Sequence, residues 1–154
     1  MKKDLKNILE KDDDLSLRKE DRVKMPVLGS IPAGVEIDDI KETKDSLYIS
    51  NKHIMSLVHD YFLYRVKDNS MEPKYLINDI VLFEKRQAPE NGKDYMVRIG
   101  TKEGILRQYH KEGDIIELRP YNKEYETEKF TTNELMVYNV QFIGKARSLE
   151  YREL

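Results

Sequence analysis

Short runs of apolar residues recur along the chain from residue 47 onward. The runs alternate with polar positions or are rich in β-branched and aromatic side chains, a pattern typical of strands. We predict strands over 47–49, 61–66, 80–84, 95–99, 104–109, 115–118 and 137–146. Turn sequences separate them at 78–79, 90–92, 100–101 and 112–114. Helix is predicted only as a turn or two at 54–59 and 71–76. The predicted fold class is therefore mainly β, a compact domain of short antiparallel strands and hairpins.

The first 25 residues have a different composition. They hold eight basic and seven acidic residues, and their few apolar positions include Leu5, Ile8 and Leu9 at helical spacing. Two turns of helix are marginally stable alone. We interpret residues 1–25 as a charged arm or linker, with a solvated tail as the alternative. Residues 26–154 form the predicted domain, and it opens with an extended segment because prolines interrupt 25–34.

Composition excludes several classes of site. The 154 residues contain no cysteine, which excludes disulfides, thiolate nucleophiles and cysteine-based zinc sites. The three histidines have no ligand spacing, so we expect no metal and no cofactor. The chain has a net charge of -2 and so lacks the excess of positive charge that proteins coating nucleic acid carry.

The distribution of apolar residues also bears on the cellular location of the protein and on DNA binding. No apolar run reaches about 18 residues, and no signal peptide is visible at the start. We therefore expect a cytoplasmic protein without membrane contact. No segment is long and apolar enough for a helix-turn-helix, so no direct DNA contact is expected from this chain.

A serine follows the second predicted strand, in the segment 67–73, KDNSMEP. A turn there presents Ser70, and a short helix is predicted to begin after it. The backbone N–H groups that follow, starting at Met71, could stabilise an oxyanion. The alternative role for Ser70 is a helix N-cap, since serine is a preferred capping residue. Turn and solubility roles are predicted for three nearby acidic residues, Asp68, Asp79 and Glu103.

A second feature is the segment 31–35, IPAGV. Its small residues place the Ala33–Gly34 peptide bond in an extended, accessible stretch. The alternative is an ordinary turn.

Three segments, taken in order, resemble the C-terminal domain of the LexA and lambda-type CI repressors, a family that also includes UmuD. The serine segment reads SMEP and is followed at 78–82 by NDIVL, where that family has Gly-Asp and an apolar strand. Upstream, 26–34 (PVLGSIPAG) looks like the cleavage-site region, and downstream, 118–125 (LRPYNKEY) resembles a Leu-x-Pro-x-Asn segment. Asn78 stands in place of the usual glycine, a mild departure because asparagine tolerates turn conformations. The resemblance covers residues 25–150.

The resemblance implies a self-cleaving serine peptidase site. In that family the serine attacks an Ala-Gly bond of its own chain, which implies Ser70 as the nucleophile position and Ala33 and Gly34 as the cleavage site. A buried, neutral lysine takes the serine proton, because desolvation lowers the pKa of an ammonium group. The loop can close over the site, and activated RecA filament favours the closed population.

Arginine stands at the position that corresponds to this lysine. Arg107 lies four residues after Glu103 and thirteen before Pro120, the two spacings that locate the lysine in the family. A guanidinium has no accessible neutral form and cannot act as the general base. It could still hydrogen-bond Ser70 or bind the loop, and Lys67 is a weak candidate for a replacement base. We predict that self-cleavage is absent or severely slowed, which leaves open whether the chain is an enzyme.

Functions of different classes follow from the resemblance. One is a regulatory and dimerisation domain of a phage-type or SOS-type repressor, acting as a homodimer or as a heterodimer with a LexA- or CI-like protein. The alternative is a stand-alone, antirepressor-like modulator that binds a LexA-like repressor or RecA. A UmuD-like polymerase accessory protein is a third option, although it would need cleavage. Apolar positions near the end of the chain could serve pairing or belong to the core: Val137, Val140, Phe142, Ile143 and Ala146.

Overall fold

One sheet of nine strands runs through the computed structural model, which describes residues 21–40, 45–54 and 57–154. The strands are β1 (Arg22–Leu28), β2 (Asp45–Ser50), β3 (Tyr61–Arg65), β4 (Ile80–Glu84), β5 (Asp94–Ile99), β6 (Ile105–Glu112), β7 (Ile115–Arg119), β8 (Glu128–Thr131) and β9 (Val140–Tyr151). Their order in space is β2-β1-β3-β4-β9-β5-β6-β7-β8. β1 and β3 pair in parallel, and the other neighbours pair antiparallel. The predicted mainly β, mainly antiparallel fold is confirmed.

Every predicted strand overlaps a strand of the sheet, but the prediction for 137–146 begins too early. A short helix, α1 (Thr132–Val137), precedes β9. Thr131 caps it, because its side chain accepts the Glu134 N–H while the Glu134 carboxylate accepts the Thr131 N–H. This capping box was readable in the sequence as Thr-x-x-Glu. β8 was also missed, because only Phe130 is buried among its four residues.

The turn or two of helix predicted at 71–76 is a single turn in the structure, and no regular helix forms there. The Tyr75 N–H donates to the Met71 carbonyl at 3.0 Å, but the pattern stops at Leu76. The Asp79 side chain accepts the Leu76 N–H at 2.8 Å and so competes with a further helical turn. At the other predicted helix, 54–59, the described residues contain a 3₁₀ turn, Val58–Asp60, and residues 55–56 lie outside them.

The sheet takes in the end of the segment that we assigned to the arm. β1 begins at Arg22 because residues 22–27 pair with β2 from Ser50 back to Asp45. The helical spacing of Leu5, Ile8 and Leu9 lies outside the described residues.

A buried core joins the two segments that carry the candidate chemistry. Ile31, from the loop after β1, and Met71, next to Ser70, belong to the same apolar cluster as Met96 and Leu106. The stacked rings of Phe62 and Phe83, with centroids 5.1 Å apart, lie in this cluster as well. Because both segments have a buried anchor, their backbones are held against the sheet.

The apolar positions of β9 mainly serve the core. Val140 and Phe142 pack on one buried cluster, and Ile143 and Ala146 pack on another. Val137 lies in α1 and is 75% exposed, so it belongs neither to the strand nor to the core.

The described residues contain neither a candidate membrane helix nor a candidate metal-binding cluster. No helix in this part of the chain has the length and apolar character that a membrane crossing needs. No group of three or more histidine, aspartate and glutamate side chains there is arranged to hold a metal ion.

Candidate functional site

Ser70 lies in the turn between β3 and β4 and is almost completely buried, at 2% exposure. The turn is closed by backbone hydrogen bonds in which the Val66 N–H donates to Asp79 and the Asn78 N–H donates to Val66. Asn78 has φ of 78°, a left-handed conformation that asparagine tolerates better than most residues. The Met71 side chain, also buried, fixes the turn to the core. Ser70 is not a helix N-cap, because no regular helix follows it.

The Leu-x-Pro-x-Asn segment holds this turn from the other side. The Asn122 N–H donates to the Ser70 carbonyl at 3.0 Å, and the Asn122 side-chain amide donates to the Asn69 carbonyl at 3.0 Å. The Tyr125 hydroxyl donates to the Asn69 side-chain oxygen at 2.8 Å. The motif that carried the family resemblance therefore acts structurally by fixing the backbone on which Ser70 sits.

Arg107 and Ser70 are in direct contact. On β6 Arg107 lies opposite Tyr95 of β5, and its Nη1 donates to Ser70 Oγ at 2.9 Å and to the Leu106 carbonyl at 2.8 Å. The side chain is largely buried, at 8% exposure, and its guanidinium lies 5.9 Å from the centre of the Tyr125 ring. Arginine at this point is therefore a hydrogen-bond donor to the serine oxygen.

Burial and nearby carboxylates act in opposite directions on the pKa of the Arg107 guanidinium. Burial lowers the pKa of Arg107 from its ordinary value, whereas the nearby charges of Asp68 and Glu128 act in the opposite direction. A guanidinium starts from a pKa above about 12 and stays protonated in proteins. That this group does not act as a general base stays a prediction.

Asp68 is a contact of Ser70 that sequence reasoning missed. Its Oδ1 accepts the Ser70 N–H at 3.0 Å, which is the turn role predicted for it. The same oxygen accepts a hydrogen bond from the Ser70 hydroxyl at 2.6 Å. An aspartate two residues before a serine commonly forms such a turn, so the spacing was the available signal.

The nearby lysines are paired with carboxylates. The ammonium group of Lys67 contacts the Glu103 carboxylate, and both side chains are partly exposed. Lys74 Nζ lies 2.6 Å from Asp94 Oδ2. Burial by itself lowers the pKa of Lys74, but its hydrogen bonds and charge interactions with Asp94 and Tyr121 outweigh burial and raise that pKa. The environment of Lys74 therefore favours its ammonium form, which cannot accept the serine proton.

The candidate cleavage loop is held by an arginine of β5. Arg98 Nη1 donates to the Pro32 carbonyl at 2.8 Å and to the Val35 carbonyl at 2.7 Å, so it bridges the residues on either side of Ala33 and Gly34. Gly34 has φ of 75° and is exposed at the tip of the turn. Only glycine adopts this backbone conformation without strain.

The loop and Ser70 are bound by different side chains of the sheet. Arg98 lies three residues beyond Tyr95, the partner of Arg107, which is about 10 Å along a strand. The described hydrogen bonds of the loop go to Arg98 and to Gly104, whereas those of Ser70 Oγ go to Asp68 and Arg107.

Gly104 docks the base of the loop, and its replacement should be destabilising. Its N–H donates to the Ile31 carbonyl at 2.8 Å, and a Cβ at this position would lie 2.8 Å from Ile31 Cβ and 2.9 Å from Met96 Sδ. We expect Gly104→Ala to lower the free energy of unfolding by about 1–3 kcal/mol, because the core there is already filled. Gly29→Ala is the matched control, since a Cβ at Gly29 meets no atom within 4 Å. Equal denaturation midpoints for the two variants would contradict the packing.

Alkaline pH is expected to destabilise the fold. Burial raises the pKa of four tyrosines above the ordinary value near 10: Tyr64, Tyr75, Tyr109 and Tyr121. Above about pH 10 the unfolded chain releases these protons while the folded chain keeps them, so the free energy of unfolding falls as pH rises. The raised pKa of Lys74 acts with the same sign.

Thermal unfolding at pH 8 and pH 11 checks this effect. The midpoint should fall between the two values, and by less in Tyr75→Phe, which has one phenol fewer to titrate. A midpoint independent of pH over this interval would show that the phenols titrate alike in both states.

Comparison with known proteins agrees with this geometry. The family model described as Peptidase S24-like matches residues 26–147, which include Ser70, Arg107 and the Ala33–Gly34 pair. The chain belongs to the Peptidase S24-like family. The S24 match covers all nine strands except the first residues of β1 and the last residues of β9.

Relatives of this S24-like chain include LexA repressors. It is 29% identical over 136 residues to the LexA repressor of Thermotoga petrophila, which covers 88% of the chain and 68% of that protein. It is 29% identical over 128 residues to the LexA repressor of Caldicellulosiruptor saccharolyticus, and 33% identical over 112 residues to that of Clostridium kluyveri. These two alignments cover 82% and 69% of the chain, but only 58% and 52% of the relatives. The chain is thus a LexA-like, S24-type domain.

Proposed function

We propose that this chain is the regulatory and dimerisation domain of a LexA- or CI-type repressor, and that it does not cleave itself. The carrying observation is the hydrogen bond from Arg107 Nη1 to Ser70 Oγ at 2.9 Å. The group facing the serine oxygen is a donor that stays protonated, so it cannot take the serine proton. The LexA repressors among its relatives support a role in transcription regulation.

The loop geometry supports the same state. Arg98 donates to the Pro32 and Val35 carbonyls, whereas the described hydrogen bonds of Ser70 Oγ go to Asp68 and Arg107. Self-cleavage would require a proton acceptor and a loop position in which Ser70 reaches the Ala33 carbonyl. A repressor domain of this kind would persist under conditions that inactivate a cleavable one.

β9 lies between β4 and β5 but pairs with each over only part of its length, which fits pairing of two copies. Residues 140–145 of β9 pair with β5, whereas residues from Lys145 to Tyr151 pair with β4. Within the described sheet, the second edge of the last six residues of β9 therefore has no strand beside it. An open edge of this length can accept another strand. We propose that a second copy, or a LexA-like partner, occupies it.

Intact-mass analysis of the full chain tests the proposed function. The purified protein is incubated at pH 7 and at pH 9.5, below the range in which tyrosine ionisation destabilises it, and separately with activated RecA filament and nucleotide. We expect a single unchanged mass in every sample, and sedimentation velocity should give the mass of two chains.

A matched variant makes the result interpretable. Ser70→Ala removes the nucleophile oxygen, so masses for 1–33 and 34–154 that form in the natural chain and are lost in this variant would overturn the proposal. Cutting that persists in Ser70→Ala would instead identify a contaminating protease. A one-chain mass at micromolar concentration would overturn the pairing.

A further inference from the structure

We propose that Asp68 is a second block to self-cleavage, separate from the absence of the lysine, so that efficient cleavage requires a change at both 68 and 107. This inference rests on the proposed function and names the residue that determines the state of its site. Asp68 acts through Ser70 and through residue 107, and is in this sense a positioning residue.

The Ser70 hydroxyl is hydrogen-bonded to the Asp68 carboxylate. Asp68 Oδ1 accepts both the Ser70 N–H, at 3.0 Å, and the Ser70 hydroxyl, at 2.6 Å. Arg107 donates to the same Oγ at 2.9 Å. The serine oxygen is thus bonded between a carboxylate and a cation, and its hydrogen points to the carboxylate. A base entering at position 107 would have to compete with Asp68 for that hydrogen.

Asp68 would oppose the first step of the lysine-dependent reaction, the transfer of the serine proton. Ser70 Oγ gives its proton to a neutral Nζ and bonds to the Ala33 carbonyl carbon. The Ala33–Gly34 C–N bond then breaks, the Gly34 nitrogen takes the proton, and water releases the acyl group from Ser70. The first step needs an uncharged amine.

Several groups act electrostatically on position 107 and would influence the protonation of a lysine there. They are Asp68 in the serine turn, Glu128 on β8, Tyr64 on β3 and Tyr125 in the segment before β8. Asp68 has the largest of these electrostatic influences on Arg107. A carboxylate this close favours the ammonium form and raises the pKa of a lysine, against the effect of burial. A lysine introduced alone would therefore remain mostly charged at neutral pH.

The test compares Arg107→Lys, Asp68→Asn and the double variant in the full chain. Asparagine keeps a side-chain oxygen for the Ser70 N–H, so the turn is preserved while the negative charge is lost. Cleavage is followed by intact mass between pH 7 and pH 9.5, with folding checked by thermal unfolding. A second double variant, with Asp68→Ser in place of Asp68→Asn, is tested as well, so that misfolding of one double variant does not decide the result.

We expect the double variant to cut at Ala33–Gly34 at least about ten times faster than Arg107→Lys at pH 8. The midpoint of its pH–rate profile should lie about one unit lower or more, since the charge that raises the lysine pKa is gone. Adding Ser70→Ala to the double variant should abolish cutting, and Asp68→Asn alone should not cut.

Two results would overturn the inference. One is equal rates and equal midpoints for Arg107→Lys and the double variant. The other is a folded double variant that does not cut. Failure of the proposed function has a different signature, namely cutting by the natural chain with Arg107 in place.

Discussion

Replacing Asp94 by alanine is expected to lower the free energy of unfolding by about 3–4 kcal/mol. Asp94 is 3% exposed and accepts from the hydroxyl groups of Tyr75 and Tyr121, each at 2.7 Å. Without the carboxylate, these hydroxyl groups lose their acceptor, and each one left unsatisfied in a buried site costs about 1–3 kcal/mol. Lys74 contributes little to the loss, because its partly exposed ammonium can return to water.

Chemical denaturation with matched variants measures this effect. Asp94→Asn should fall between the natural chain and Asp94→Ala, since the amide oxygen can still accept one hydroxyl. Asp38→Ala is the surface control, because Asp38 is exposed and pairs only with Lys85 at 3.0 Å among the described contacts. If the Asp94 and Asp38 variants lost equal stability, the buried cluster would not be an anchor of the fold.

The Asp94 cluster also has a consequence for the site. It joins the turn after Ser70, through Tyr75, to the segment that carries Asn122, through Tyr121. Asn122 in turn holds the Ser70 carbonyl. Loss of Asp94 should therefore loosen the backbone around Ser70, which amide hydrogen exchange at residues 69–75 would detect.

Replacing Arg98 by methionine is expected to free the loop that contains Ala33 and Gly34. Arg98 is buried and makes two charge-assisted hydrogen bonds to the loop, at 2.8 and 2.7 Å. We expect the free energy of unfolding to fall by about 2–4 kcal/mol. Cutting within 32–36 by an added protease of broad specificity should speed up by roughly tenfold or more, since the loop no longer has its clamp.

Arg119→Met is the control for this experiment. Arg119 is also a strand arginine, but its partner is Glu117 on the same strand, at 2.7 Å. An added protease that cuts the Arg98 and Arg119 variants equally fast at 32–36 would show that Arg98 does not hold the loop. If the Arg98 variant begins to cut itself in a Ser70-dependent way, the loop alone was the barrier and the proposed role of Arg107 is wrong.

The periodicity of apolar residues was sufficient for most of the sheet. Strands such as β3 and β4 are buried almost throughout, so their runs of apolar residues identify them as strands. The pattern failed where burial is low: three of the four β8 residues are not buried, and α1 exposes Met136 and Val137. Such elements are held by edge pairing and by a capping box rather than by a buried face, so apolar counting does not detect them.

The sequence by itself determined the family, the serine turn and the presence of arginine at the lysine position. Those conclusions depend on residue identity and spacing along the chain, which no tertiary contact can change. Only the tertiary structure decided what Arg107, Asp68 and Arg98 do. Ser70 meets Arg107 across 37 positions, and Arg98 meets Pro32 across 66. These contacts follow from strand order and register, which place residues that are distant in sequence side by side. Local sequence patterns do not encode strand order or register.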